Sequence, residues 1–127
     1  MYKYSVFILG SIFTLICCDS SIDKDRDFAE EKGRELLHQA RMAYQESDYT
    51  SAISFIDSIR KTYPLAMNVR EQGILLKDSV FIKETQEKLK AAMDSGMPQQ
   101  VIEDIQLQVR FYLRKLEHDK EKRQIHD

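Results

Sequence analysis

The chain has 127 residues, 31% of them charged and 43% hydrophobic, proportions that fit one small globular unit and exclude a disordered or fibrous chain. Nineteen basic side chains against 21 acidic ones leave a formal net charge of -2, too little positive field for the counterion release that drives nucleic-acid binding. The cysteines, Cys17 and Cys18, are adjacent, which excludes a disulfide framework.

Met1-Tyr2-Lys3-Tyr4 supplies a short positive start, and Val6 to Ile16 is apolar except for Gly10, Ser11 and Thr14. This is the layout of an export signal. Tyr4 to Cys18 is 15 residues, short of the roughly 20 apolar residues that a membrane-spanning helix needs. The segment closes on Leu15-Ile16-Cys17-Cys18-Asp19, which resembles the lipobox of bacterial lipoproteins. With Cys18 as the modified residue, Leu15 lies three before it, Ile16 two before it and Cys17, where Gly or Ala is more usual, just before it. Choosing Cys17 would put bulky Ile16 at the cleavage point, so Cys18 is preferred.

The resemblance implies a diacylglycerol thioether on Cys18, removal of residues 1–17 as a signal peptide, and acylation of the new amino group. At about 0.8 kcal/mol per buried methylene, two or three acyl chains would hold the protein on a membrane without spanning it. The implied location is the bacterial cell envelope, with the outer membrane favoured, facing the periplasm or the cell surface. Residues 18–27 then read as the lipidated cysteine and a polar, solvated tether. An acidic stretch after the lipidated cysteine marks some lipoproteins for the cell surface, but here Lys24 and Arg26 interrupt it.

After Cys18 there are only Gly33, Gly73, Gly96, Pro64 and Pro98 to make turns, too few for a sandwich or barrel, so an all-α fold is expected. Asp27 is the expected first N-cap, with Glu30 completing a capping-box pattern. Ala29, Gly33, Leu36, Leu37, Ala40, Ala43 and Tyr44 then form a helical apolar face. Ser47-Asp48 makes a turn. A second helix carries Tyr49, Ala52, Ile53, Ile56, Ile59 and Tyr63 on one stripe, and Pro64 stops it.

The run Asp48-Tyr49-Thr50-Ser51-Ala52-Ile53, with Ile56, Ile59 and Tyr63-Pro64, resembles the second half of a tetratricopeptide repeat, and Ala40 and Tyr44 fall where that family places small and aromatic residues in its first helix. The likeness covers residues 33–66, lacks the family's early tryptophan, and has Ile59 where a small residue is usual. It implies a repeat-like hairpin over residues 28–66, packed through Ala40, Tyr44, Tyr49, Ala52, Ile53, Ile56 and Ile59 and closed by Pro64. A generic antiparallel helix pair shares part of the pattern.

No proline interrupts residues 66–95, so one long helix is expected, about 45 Å at 1.5 Å per residue. Lys83 with Glu87 and Glu84 with Lys88 are its expected ion pairs, and Lys77-Asp78-Ser79 is the place for a kink. Gly96 suits a C-terminal cap and Pro98 the first position of a further helix. Ile102, Ile105, Val109, Tyr112 and Leu116 form a seven-residue seam opposite Leu75, Ile82, Leu89, Ala92 and Met93, so residues 67–117 should fold back as a longer, coiled-coil-like antiparallel hairpin. The charged tail, residues 118–127, is expected to fray.

Glu35 and His38 have the spacing of a di-iron ligand pair, but a second pair is missing. His118 and His126 have no nearby cysteine to join them in binding a metal. No phosphate loop, HExxH motif or nucleophile elbow occurs. The expectation is therefore a protein that is not an enzyme, with no cofactor, no metal and no small-molecule substrate. It would be a membrane-anchored interaction module engaging another envelope protein, or alternatively a structural, self-associating coiled-coil lipoprotein.

Overall fold

The computed structural model describes residues 19–124, with side chains from Ser21 on. The expected signal peptide, the lipobox, Cys18 and His126 lie outside the described residues. Four helices follow one another: α1 (Asp19–Gln45), α2 (Tyr49–Thr62), α3 (Met67–Asp94) and α4 (Gln99–Gln124). The described residues are all-helical, arranged as a short hairpin of α1 and α2 followed by a longer one of α3 and α4. α3 is the centre, because α1, α2 and α4 all pack on it while α4 meets neither α1 nor α2.

Local chemistry sets the breaks. Ser47 adopts the left-handed conformation, φ 62°, after α1. That lets its N–H reach the Tyr44 carbonyl at 3.1 Å and the Asp48 N–H reach that of Ala43 at 2.9 Å, which satisfies the last turn. Asp48 then caps α2 by accepting the Ser51 N–H at 3.1 Å, and these hydrogen bonds from Ser51 hold its carboxyl below the usual carboxylate range. Gly96, φ 66°, closes α3 in the same manner, with the Met97 N–H on the Ala92 carbonyl at 3.0 Å. Pro98 stands just ahead of α4 rather than within it, its carbonyl accepting the Val101 N–H at 3.0 Å.

Three expectations about helix ends change. α1 begins at Asp19, about two turns before Asp27, because nothing in the polar stretch breaks a helix and an Arg26–Asp23 ion pair at 2.7 Å spans one turn of it. Residues 21–28 are all exposed, although Asp25 and Phe28 border a cleft shared with Thr62 and the turn after α2. Glu30 caps a helix, but not its own: its carboxylate accepts the Asn68 N–H at 2.8 Å and the Val69 N–H at 3.2 Å, at the start of α3, where Ala66 has no side chain to cap with. The expected frayed tail continues as helix to Gln124, with Arg123 Nε lying 3.8 Å from a Glu71 carboxylate oxygen on α3.

Two apolar clusters make the core. Ala29, Leu37, Ile59, Ala66 and Val69 form one, and Ala43, Ala52 and Val80 the other. Gly33 lets α1 and α3 approach closely: a Cβ there would lie 3.2 Å from Val69 Cγ1 and 3.3 Å from Ala66 Cβ. α4 has no fully buried residue.

Candidate functional site

The residues expected to pack the first hairpin are mostly brought together. Ala40 and Ala52 are 0% exposed, Ile56 and Ile59 are buried, and Ile53, Tyr44 and Tyr49 are half-buried. The two tyrosine rings sit 6.5 Å apart and tilted. Pro64 is exposed and ends α2 without packing; its carbonyl accepts a hydrogen bond from Arg70 at 2.6 Å. Lys83 and Glu87 do not pair, because the tyrosines draw both away. Lys83 Nζ lies 5.3 Å from the centre of the Tyr44 ring, and Glu87 accepts the Tyr49 hydroxyl at 2.6 Å. Burial, then the bond to Glu87, raises the Tyr49 hydroxyl above its ordinary pKa. The expected Lys88–Glu84 pair is present at 3.1 Å.

Along the second hairpin, Ile102, Ile105, Val109, Tyr112 and Leu116 are half-buried; Leu75, Ile82, Leu89 and Ala92 on α3 are half or fully buried, while Met93 is exposed. Phe81 stacks on Tyr112 at 5.2 Å. The helix is continuous from Met67 to Asp94, as the single long helix expected there, and it runs through Lys77-Asp78-Ser79, the expected place for any kink. Asp78 instead turns into the apolar seam, 2% exposed, and its Oδ1 accepts a hydrogen bond from Lys115 of α4 at 2.6 Å. Lys115 also donates to Asp119 at 2.7 Å. Asp78 Oδ2 is buried with no hydrogen-bond partner. Burial pushes the Asp78 carboxyl above its usual range, while the bond from Lys115 holds Asp119 below it. For Lys115, burial opposes the charge, but the bonds to Asp119 and Asp78 outweigh it and its pKa is raised. The Lys115–Asp78 bond crosses from α4 to α3 and favours one register of the two helices, while Asp119, on α4 itself, holds the ammonium in place. Sequence reasoning missed this trio, although Asp78 and Thr85 fall at the seam positions between Leu75, Ile82 and Leu89.

Because α4 touches only α3, a groove runs between α1 and α4 with α3 as its floor. Two clefts of about 480 Å³ and about 410 Å³ lie along it and share Gln72 and Arg123. Leu75, Leu76 and Leu116 line its bottom, Arg34 and Arg41 one bank, Lys120 and Arg123 the other. Arg41 donates to the neutral Gln72 side chain at 2.9 Å and Arg34 to the Glu30 carbonyl at 3.3 Å. Among the described residues, neither arginine nor Lys120 has a carboxylate within ion-pair distance. A further cleft of about 490 Å³, lined by Glu71, Ile74, Lys115, Asp119 and Lys122 among others, lies against the trio. On the outer side of α4, Leu107 and Phe111 are 59% and 61% exposed, one helical turn apart.

Glu35 accepts an ion pair from Lys32 at 3.0 Å and His38 is exposed. No group of three or more His, Cys, Asp or Glu able to hold a metal ion occurs among the described residues. No helix among the described residues is long and apolar enough to cross a membrane. Comparison with protein-family models, with curated proteins and with solved structures returned no match.

Proposed function

We propose that this chain is a bacterial lipoprotein, held on a membrane of the cell envelope by acyl groups on Cys18, whose helical body serves as a non-catalytic module for engaging another envelope protein. The lipobox-like run Leu15-Ile16-Cys17-Cys18 supports the anchor, and the repeat-like spacing of Ala40, Tyr44, Tyr49, Ala52 and Pro64 supports descent from a stacking hairpin. The observation that carries the binding role is that α4 packs on α3 alone, which leaves a leucine-floored groove beside α1 without an occupant helix. Repeat hairpins bury their second face against a neighbour. A partner helix in the groove would supply that burial.

Metabolic labelling with an alkyne fatty acid tests the anchor. The full chain should take up label and fractionate with membranes. Cys18→Ser should lose both properties while Cys17→Ser keeps them, and label retained by Cys18→Ser would overturn the assignment.

A second reading, a self-associating coiled-coil lipoprotein, draws on the exposed Leu107 and Phe111 pair of α4.

A further inference from the structure

We propose that the groove between α1 and α4 receives a helical segment of a partner protein that carries apolar side chains at its centre and carboxylates along both flanks. Resting on the interaction-module reading but not on the acyl anchor, this names the chemistry of the partner.

The shape asks for one helix. α1 and α4 each pack on α3 and not on each other, so the groove between them is open to a helix that lies along α3 and packs on it. Its centre would face Leu75, Leu76 and Leu116, which gain burial only from apolar side chains. The banks set the charge. Arg34 and Arg41 stand seven residues apart on α1, about two turns, and Lys120 and Arg123 stand one turn apart on α4.

Among the described residues, three of these four cations have no carboxylate within ion-pair distance. Two acids line the same cleft as Arg34: Glu30 has both carboxylate oxygens taken up by the start of α3, and Asp27 lies beyond ion-pair distance of Arg34. On a chain whose formal net charge is -2, this grouping runs against the overall balance. Guanidinium groups pair with carboxylates through two parallel hydrogen bonds, so acids spaced a heptad apart on the incoming helix would each meet an arginine. A flat anionic membrane surface could not reach the leucine floor between two helices.

The test uses the full-length lipidated protein in nanodiscs and a display library of amphipathic helical peptides whose flanking positions vary among Glu, Gln and Lys. Recovered peptides should be rich in Glu, with recurrence at seven-residue spacing. Their affinity should fall about tenfold or more as ionic strength rises from about 0.05 to about 0.3 M. The double substitution Arg34→Glu with Arg41→Glu lies on exposed positions, and it should turn the preference from Glu to Lys without loss of helical circular dichroism. Charge-blind or Lys-rich selection, or a Glu preference that survives the double substitution, overturns the proposal.

Peptides without acidic bias that are lost with Leu107→Glu and Phe111→Glu would sink the groove assignment and leave the interaction module standing. Failure to enrich any peptide would count against both. Loss of nanodisc attachment bears on the anchor alone.

Discussion

Asp78 occupies a place where a leucine would be unremarkable, and burying its carboxylate costs several kcal/mol unless a partner offsets the loss of water. Lys115 is that partner, but one carboxylate oxygen is left bare, and the side chain is therefore easier to protonate than in the unfolded chain. A folded-state pKa above the unfolded value near 3.8 contributes stability that is complete at pH below that value and is lost as pH rises through the folded-state pKa. Asp119, shifted downward, acts oppositely: its contribution is present above pH 3.8 and is lost as the solution becomes more acidic. Asp78→Asn keeps an acceptor for Lys115 and removes the buried charge. Measured against the Asn variant, which cancels the other carboxylates, the urea midpoint of the wild type should lose ground as pH climbs from about 4 toward neutrality. A difference between the two that stays constant over that window would refute a titrating Asp78.

At the level of whole helices, Glu30 joins the two hairpins through the first backbone donors of α3. Removing a capping carboxylate costs about 0.5–2 kcal/mol, so Glu30→Ala should lower the free energy of unfolding by that amount, read as a lower denaturant midpoint at unchanged slope. A reciprocal box with Asp27 would make the loss local to α1. The discriminating measurement is hydrogen exchange, which should quicken at Asn68 and Val69 rather than near residue 27.

Glu30 also shows what a sequence can and cannot disclose. Breaks at Ser47-Asp48, Pro64 and Gly96 were legible because each depends on residues that adjoin in the chain, and the α4 seam because its period is its own. The three-residue interval from Asp27 to Glu30 looks the same whether the carboxylate turns back on α1 or reaches across to α3. Likewise Lys83 and Glu87 have ion-pair spacing, and only the position of α1 and α2 diverts them to Tyr44 and Tyr49. The groove was illegible for the same reason, since it exists by virtue of where α4 settles around α3.

For the molecule as a unit, two candidate surfaces compete, and they lie on different parts of α4. If Leu107 and Phe111 formed a seam between copies, detergent-solubilised full-length protein should sediment as a dimer that Leu107→Glu with Phe111→Glu converts to a monomer. If the α1–α4 groove is the working surface, the protein should sediment as a monomer and ignore those substitutions. α3 is touched by every other helix, and Gly33 packs against its start, so Gly33→Ala should lower the unfolding midpoint of both hairpins together, read by hydrogen exchange in each.

The helical, solvent-exposed start of α1 bears on how such a body would behave on a bilayer. Residues 19–28 amount to about 15 Å of helix axis, starting next to the proposed acylated cysteine. A flexible leash would let the body sample every distance from its anchor up to its full contour, whereas a stiff spoke keeps it at a nearly constant distance from that anchor. Anything waiting at that distance on the same membrane meets a raised effective concentration, and anything much nearer or farther scarcely meets the body at all. Two glycines placed in the spoke would leave attachment intact and blunt that selection by distance.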